Sequence, residues 1–262
     1  CVYSLLNCDF KNFEIIIIDN NSPNDSYNQL VNTFPDLRII KSKSNNGYAS
    51  GHKISVEIAI NANAELIWVL NNDLLVENNS LSELINAYLA KKEAIYGSIT
   101  LQSKNPDIVD FGGGLSPKNE DYIFSFNLYK GCKFNDLPSE EIREVQSVEG
   151  SSMLIPVSVI KKYGFMKTDF FMYGEETDYC LRMKKHGICS FVVRSSLVLH
   201  KNAGSFEGSE KISIIPAYYR RRNYIRLLKE HYGWSIWKCM NYPESFLLKN
   251  KFLIKCLVKS GF

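Results

Sequence analysis

The hydrophobic residues of this chain form short continuous runs, separated by stretches with helical periodicity. Two runs stand out: residues 13–19, with four consecutive isoleucines, and residues 64–76, which read AELIWVLNNDLLV. Runs of this length that are rich in β-branched residues are typical of strands covered on both faces. Amphipathic stretches at 26–34, 50–63 and 80–91 predict helices. Their alternation with the runs predicts a parallel, doubly wound sheet.

The second half of the chain is less regular. Residues 103–145 keep no helical period and contain three consecutive glycines at 112–114, which predicts an irregular insertion or a β excursion. Further strands are predicted at 153–156 and 188–199. A helix that ends at Gly187 is predicted between them.

The last fifty residues differ in charge from the rest. From Lys211 onward there are 11 Lys/Arg and 2 Asp/Glu; the chain totals are 31 and 28, which leaves 20 and 26 before that point. Two basic amphipathic helices are predicted, at 216–232 and 243–258. They fit either a membrane interface or helices packed on the domain. Arg220, Arg221 and Arg222 also suggest nucleic-acid binding, which the acidic body disfavours.

The composition limits the classes of protein to which this chain can belong. A chain of 262 residues with 45% hydrophobic residues is long enough for one large α/β domain. The seven cysteines include no C-x-x-C pair, which favours free thiols in a reducing compartment. No apolar run is long enough for a membrane span, and no signal peptide is visible. Because the chain opens at Cys1 inside an amphipathic stretch, we expect a preceding segment.

Polar residues follow two predicted strands. Asp73 comes after Asn71 and Asn72 at the end of a buried run, and His200 ends the run at 188–199. Ligands bind beyond the carboxyl ends of strands in open α/β sheets, and an Asp and a His together can bind a cation. The alternatives are a polar turn for Asp73 and a structural role for His200.

Two glycine-containing loops carry further candidates. Asp19 ends the isoleucine strand, and Asn46, Gly47 and Gly51 precede or open a predicted helix. Glycines allow close backbone approach to a ligand, and a helix N-terminus favours anions.

The stretch 170–187 reads FFMYGEETDYCLRMKKHG. Glu175, Glu176 and Asp178 lie in its first helical turn, and Arg182 is four residues beyond Asp178. Acids in a first turn complement the helix dipole, which is one explanation. The other is that aromatic residues and a glycine before them expose a carboxylate at a cleft.

Taken together, these stretches resemble family 2 glycosyltransferases of the GT-A fold, especially the bacterial rhamnosyltransferase-like branch. The resemblance rests on seven segments in the same order: IIIIDNNS, NNGYASGHK, WVLNNDLLV, VEGSSMLIP, FFMYGEETDYCLR, His200 and YYRRRNYIRLLKEHY. It implies a Rossmann-like, mostly parallel sheet flanked by helices. It also implies that the first strand lies before Cys1 and is missing, so that this chain by itself should be poorly active or unstable.

The resemblance also implies roles for individual residues. Donor-binding residues would be Asp19, Asn46, Gly47, Gly51, Asn71, Asn72 and Asp73. Asp73 and His200 would hold Mg²⁺ or Mn²⁺; Asn71 replaces the first Asp of the usual D-x-D element. Glu176 would be the general base, preceded by Glu175, where many relatives have Asp in place of Glu176. The acceptor side would include Glu149, Gly150, Asp178 and Arg182.

The implied function is transfer of a sugar, with inversion, from a nucleoside-diphosphate donor to a hydroxyl of a lipid-linked or cell-surface glycan. Rhamnose is one candidate sugar. The implied domain is 1–210, with a nucleotide-binding part at about 1–102 and an acceptor-side part at 103–210, followed by the tail at 211–262. We expect a cytoplasmic enzyme at the inner face of the plasma membrane that binds no nucleic acid. The alternative is a non-catalytic nucleotide-sugar-binding module.

Overall fold

The computed structural model describes residues 1–115, 126–201 and 214–241. The helices are α1 Val2–Leu6, α2 Ser26–Thr33, α3 Tyr48–Asn61, α4 Ser80–Ala90, α5 Val157–Tyr163, α6 Glu175–Lys185, α7 Ile214–Tyr232 and α8 Ile236–Asn241. The strands are β1 Ile16–Asp19, β2 Arg38–Lys41, β3 Leu66–Leu70, β4 Leu74–Val76, β5 Ile95–Gln102, β6 Asn105–Phe111, β7 Gly114–Leu115, β8 Phe126–Asn127, β9 Ile142–Val145, β10 Ser152–Pro156 and β11 Ser190–His200. The helix predicted at 243–258 lies outside the described residues.

The predicted alternation of strands and helices is confirmed, and the structure adds the short strand β4 after β3. Seven strands form the large sheet in the order β3–β10–β5–β11–β4, with β6 on β5 and β9 on β11. β5 and β11 are parallel, whereas β10 is antiparallel to both β3 and β5. β3, β5 and β11 therefore share one direction. β1 and β2 form a separate parallel pair.

A short strand that the pattern did not separate follows the polar residues after β3. In β4, Leu74 and Val76 are buried and Leu75 is exposed, the alternation of a strand with one face on the core. β4 pairs antiparallel with the end of β11, and Leu74 lies opposite His200. The chain thus turns back between β3 and β4, with residues 71–73 at the corner.

The irregular segment contains β structure where it is described. β6 pairs with β5, and β9 pairs with β11, so both extend the central sheet. β7 and β8 form a two-stranded ribbon. The β excursion is therefore confirmed for the described part of 103–145.

The basic helix α7 packs on the domain. Ile225 and Leu228 are buried in a small cluster with Trp234. Asp178 of α6 has no exposed side-chain surface and accepts hydrogen bonds from Arg182 at 2.8 Å, while His231 of α7 lies 2.9 Å away. This arrangement favours the packed alternative for the inward face of α7.

Among the described residues, cysteines with free thiols are Cys1, Cys8, Cys132, Cys180 and Cys189. Over the same residues, none of the helices combines the length and the apolar character that a bilayer crossing requires.

Two loops that bear candidate residues meet at Gly47. Its φ is 91°, and a Cβ built on it would overlap the carbonyl group of Phe171. The next residue, Tyr48, donates its backbone N–H to the Phe171 carbonyl at 2.7 Å. A glycine is required here because the φ angle is positive and because the other backbone is so close.

We predict that Gly47→Ala lowers the free energy of unfolding by more than about 2 kcal/mol, since it adds left-handed strain and an overlap. Gly164→Ala is the matched control: φ there is 80°, but nothing lies within 4 Å of the added Cβ. It should cost only the strain, about 1 kcal/mol. Urea unfolding measures both, and equal losses would refute the close contact at Phe171.

The buried Asp178 predicts a pH-dependent stability. Burial opposes its ionisation, but hydrogen bonds from His231 and Arg182 outweigh this and lower its pKa to about 2. A depressed folded-state pKa adds stability above the ordinary value that is lost as the pH falls towards the folded value.

We therefore expect wild type to lose about 2 kcal/mol between pH 4 and pH 2 that Asp178→Asn does not lose. Denaturation at a series of pH values measures this difference. Exposed Asp107 provides the control variant Asp107→Asn, which should follow wild type. An Asp178→Asn curve parallel to that of wild type would contradict the expectation.

Candidate functional site

The register between β4 and β11 brings Asp73 to His200. His200 lies opposite Leu74, and the N–H of Lys201 donates to the Asp73 carbonyl at 3.0 Å. As a result, Oδ2 of Asp73 is 3.2 Å from Nε2 of His200. The hydrogen bond with His200 lowers the pKa of Asp73, and the same bond raises the pKa of His200.

This pair has the donor set of a divalent-cation site. Oδ1 of Asp73 and Nδ1 of His200 are buried and have no hydrogen-bond partner in the described part of the chain. The 3.2 Å between Oδ2 and Nε2 is near the roughly 3 Å that separates neighbouring ligands about 2.1 Å from an octahedral ion. Mg²⁺ and similar ions are held by few protein ligands together with phosphate oxygens and water. The residues present fit such an ion.

Another acidic cluster is less suited to a metal. Among the described residues, Asp178, Glu230 and His231 place one ligand atom each within 4.8 Å of one another. The Lys167 ammonium, however, lies 2.6 Å from Glu230 and 3.4 Å from Asp178, and Arg182 binds the other Asp178 oxygen. With Arg226, which lies 2.6 Å from Glu230, three cationic side chains already neutralise this cluster, which joins α6 to α7.

Glu175 and Glu176 begin α6 directly after Gly174, whose φ of 88° turns the chain into the helix. Burial raises the pKa of Glu176 to about 6, and the charge of Glu149 adds to this effect. Burial and the charge of Glu176 raise the pKa of Glu175 further. Oε2 of Glu175 is buried without a hydrogen-bond partner in the described part. Two neighbouring carboxyl groups with separated pKa values suit acid–base chemistry.

Glu149 lies in the turn before β10, and the Ser151 carbonyl of the same turn binds the Asn71 N–H at 2.9 Å. Its Oε2 accepts hydrogen bonds from the Thr100 hydroxyl at 2.7 Å and the Ser151 hydroxyl at 2.8 Å. Its charge contributes to the raised pKa of both His200 and Glu176.

Gly150 adds a backbone contact at the same place. A Cβ built on Gly150 would lie 3.4 Å from the Glu176 Cβ and 3.4 Å from the Tyr48 hydroxyl. That hydroxyl donates to the Gly150 carbonyl at 2.6 Å. The start of α3, the turn before β10 and the start of α6 therefore meet here.

Asp19 lies at the end of β1 and is buried. Its two carboxylate oxygens accept from the Ser22 N–H and the Ser26 hydroxyl, each at 2.9 Å. Burial opposes ionisation, but these bonds hold the pKa of Asp19 below its ordinary value. The carboxylate thus stays charged while it orders the loop into α2.

The remaining donor-side candidates surround this loop. The Asn20 amide donates to the Gly47 carbonyl at 3.0 Å, and Gly51 faces the same amide. Asn46 is exposed and donates to the Ser44 hydroxyl. Asn72 is also exposed, and the Asn71 N–H binds the Ser151 carbonyl at 2.9 Å.

Asp178 and Arg182 lie on the α7 side of α6, in the buried ion-pair cluster described above. Arg182 also donates to the Phe165 carbonyl at 3.1 Å. Their sequence-based assignment to the acceptor side stays a prediction.

Several residues with roles here were not singled out from the sequence. They are Tyr48, Thr100, Ser151, Lys167 and His231. Tyr48 lies inside the motif NNGYASGHK, where its position next to a glycine was the only available signal. Thr100 gave none, because it reaches Glu149 across the sheet, and the only signal for Ser151 was its place in the motif VEGSSMLIP.

Comparisons with known proteins agree with this geometry. Residues 1–130 match the family described as glycosyl transferase family 2. The solved structure of GalNAc-T7 with UDP, GalNAc and Mn²⁺ is similar to this fold, with a TM-score of 0.64 and 14% identity, over 87% of this chain and 44% of that one. The fold is that of the GT-A glycosyltransferases.

Two curated relatives are more similar in sequence. The low-salt glycan biosynthesis hexosyltransferase Agl10 of Haloferax volcanii is 27% identical to this chain. The match covers 67% of this chain and 54% of the length of Agl10, so the chain spans about half of that relative. The N-acetylglucosaminyl-diphospho-decaprenol L-rhamnosyltransferase of Mycobacterium tuberculosis is 26% identical over 84% of this chain and 76% of its own length. By these matches residues 1–130 belong to glycosyl transferase family 2, and the curated relatives that the chain resembles include a hexosyltransferase and a rhamnosyltransferase.

Proposed function

We propose that this chain carries the catalytic site of an inverting glycosyltransferase. The site would move a sugar from a nucleoside-diphosphate donor to a hydroxyl group of an acceptor glycan. The observation that carries the proposal is that the turn at 149–151 contacts both ends of the site. The Ser151 carbonyl accepts from the Asn71 N–H at 2.9 Å, two residues before Asp73, and a Cβ built on Gly150 would lie 3.4 Å from the Glu176 Cβ. A metal-ligand pair and a base of raised pKa thus share one edge of the sheet.

Asp73 and His200 would hold Mg²⁺ or Mn²⁺, whose charge would offset that of the leaving diphosphate. The remaining contacts to the donor would come from residues of the chain. Asp19 and the loop of Asn46, Gly47 and Gly51 would bind the nucleoside and its phosphates, together with residues 71–73.

Glu176 would take the proton of the acceptor hydroxyl. The hydroxyl oxygen then forms a bond to the anomeric carbon while the bond from that carbon to the diphosphate oxygen breaks, and the diphosphate leaves with the electron pair. A single displacement of this kind inverts the configuration. With a pKa near 6, Glu176 is mostly ionised at neutral pH, yet it is more basic than an ordinary carboxylate.

We infer that about 1–102 binds the donor and 103–210 faces the acceptor, through Glu149 and Gly150. Rhamnose is the expected sugar, since a relative is named a rhamnosyltransferase.

A lipid-linked acceptor at the inner face of the plasma membrane fits that relative's printed name, which includes diphospho-decaprenol. Membrane contact would then use the tail at 211–262. Because Arg222 and Arg226 of α7 bind groups of the domain, its residues beyond α7, which include Lys249, Lys251 and Lys255, are the stronger candidates for that contact.

Glu176→Gln tests the base. We expect transfer to fall about 10²- to 10⁴-fold while donor binding stays near that of wild type, since the amide keeps the shape but cannot take a proton. Glu175→Gln is the matched control and should lose much less, because the raised pKa keeps Glu175 protonated at neutral pH. Wild-type kcat/KM should fall as the pH drops below about 6, where Glu176 becomes protonated.

Transfer assays and donor calorimetry, on a version that includes any preceding segment, measure these effects. The reverse order of the two variants would identify Glu175 as the base. Donor binding without turnover in wild type would support a non-catalytic nucleotide-sugar-binding module instead.

Removal of metal tests the Asp73–His200 pair. We expect a chelator to abolish transfer and Mn²⁺ or Mg²⁺ to restore it. A nucleoside diphosphate should raise the melting temperature of wild type only when Mn²⁺ is present. His200→Ala should lose that metal-dependent shift, whereas His186→Ala, on the far end of α6, should keep it. Full activity in the chelator would exclude a metal role.

A further inference from the structure

The loop that precedes Glu175 has a strained backbone. Phe171 has φ 66° and ψ −60°, and the Met172 N–H binds the Phe170 carbonyl at 2.9 Å. This is a γ-turn of the positive-φ kind, which is rare and strained for a side chain of any size. Tyr173 also has a positive φ, 67°, and Gly174 follows at 88°. The conformation persists only if the surroundings enforce it.

Asn223 of α7 holds the loop in this conformation. Its side chain is 1% exposed. Its Nδ2 lies 2.9 Å from the Phe170 carbonyl, 2.8 Å from that of Met172 and 2.7 Å from that of Tyr173. The two N–H groups of one buried amide are therefore shared among three carbonyl groups of the strained loop.

Arg222 holds the amide and the loop together. Its Nε donates to Oδ1 of Asn223 at 2.8 Å, which directs Nδ2 towards the loop. Its Nη2 donates to the Asp169 carbonyl at 2.8 Å and the Phe170 carbonyl at 2.7 Å. The planar guanidinium makes these bonds in one fixed geometry, which a lysine would not reproduce.

The opposite side of the loop contacts the donor-side residues. The Tyr48 N–H binds the Phe171 carbonyl at 2.7 Å, next to Gly47. The loop is thus held between α7 and the start of α3, and it leads directly into Glu175 and Glu176.

We propose that Asn223 is a positioning residue, which keeps the 170–174 loop in its strained form and so fixes the Glu176 carboxylate against the acceptor site. The inference rests on the proposed role of Glu176 as base. Without Asn223, the carbonyls of Met172 and Tyr173 would lose this donor and that of Phe170 would keep only Arg222 and the Met172 N–H, so Phe171 and Tyr173 would relax towards negative φ. The first turn of α6 would then shift.

That shift has an electrostatic signature. The groups that face Glu176 are Glu175 on its own helix, Glu149 before β10 and Tyr48 on α3. Burial is the largest cause of the raised pKa of Glu176. A looser loop admits water, which lowers that pKa, so the acid limb of the pH–rate profile moves to lower pH.

The test compares Asn223→Ala and Asn223→Ser with Ile225→Val, a control that trims a buried side chain on the same helix without touching the loop. We expect kcat to fall roughly 10- to 100-fold in the Asn223 variants. Donor KM should change less than kcat, and the acid limb of the pH–rate profile should move to lower pH. Ile225→Val should keep the wild-type limb. Arg222→Lys, the milder change, should shift it in the same direction.

Amide hydrogen exchange gives a reading that does not depend on activity. Faster exchange at Tyr48, Met172 and Asp178 in the Asn223 variants, but not in Ile225→Val, supports the positioning role. If the Asn223 variants show the same exchange rates and the same acid limb of the pH–rate profile as Ile225→Val, the positioning role is overturned. If the Asn223 variants do not fold, the same two readings on Arg222→Lys decide. A wild type without transfer activity would instead refute the proposed function, and exchange would still test the hold on the loop.

Discussion

The pairing of β4 with the end of β11 is the constraint on which the site depends. Only the last three residues of β11 take part, and they place His200 opposite Leu74 and beside Asp73. A slip of one residue would turn Leu74 and Val76 out of the core and move His200 away from Asp73. Burial of those two apolar side chains therefore fixes the register, and the register fixes the two metal-ligand candidates, which are 127 residues apart in sequence.

The second constraint is the antiparallel strand β10, which lies between β3 and β5. It carries the turn with Glu149 and Gly150 to the same edge as Asp73. Glu149 is held there by Thr100 of β5 and by Ser151. The edge therefore collects the carboxyl groups of Asp73, Glu149 and Glu176, and the charge of Glu149 adds to burial in raising the pKa of Glu176.

The sequence predicted much of this, for identifiable reasons. Isoleucine-rich and Leu–Trp–Val runs marked β1 and β3, and the helical periods marked α2 to α4. The antiparallel direction of β10 was not predicted, because a short apolar run such as residues 153–156 has the same pattern in either direction. The strained loop was also missed: Phe171 and Tyr173 are not residues that favour positive φ, and the loop is stabilised by distant residues that include Asn223, Arg222 and Tyr48. The charge of α7 suggested a membrane surface, whereas Arg222 and Arg226 bind the domain itself.

The central claim is that Asp73 and His200 form the metal end of a site whose other end is Glu176. A crystal structure with Mn²⁺ and a nucleoside diphosphate, with the ion located by its anomalous scattering, tests it most directly. The account predicts one strong peak bonded to Asp73 and His200 and to the diphosphate, with the Glu176 carboxylate facing the open side of the same cleft. A peak at Asp178, Glu230 and His231 instead, or a diphosphate bound away from Asp73, would contradict it.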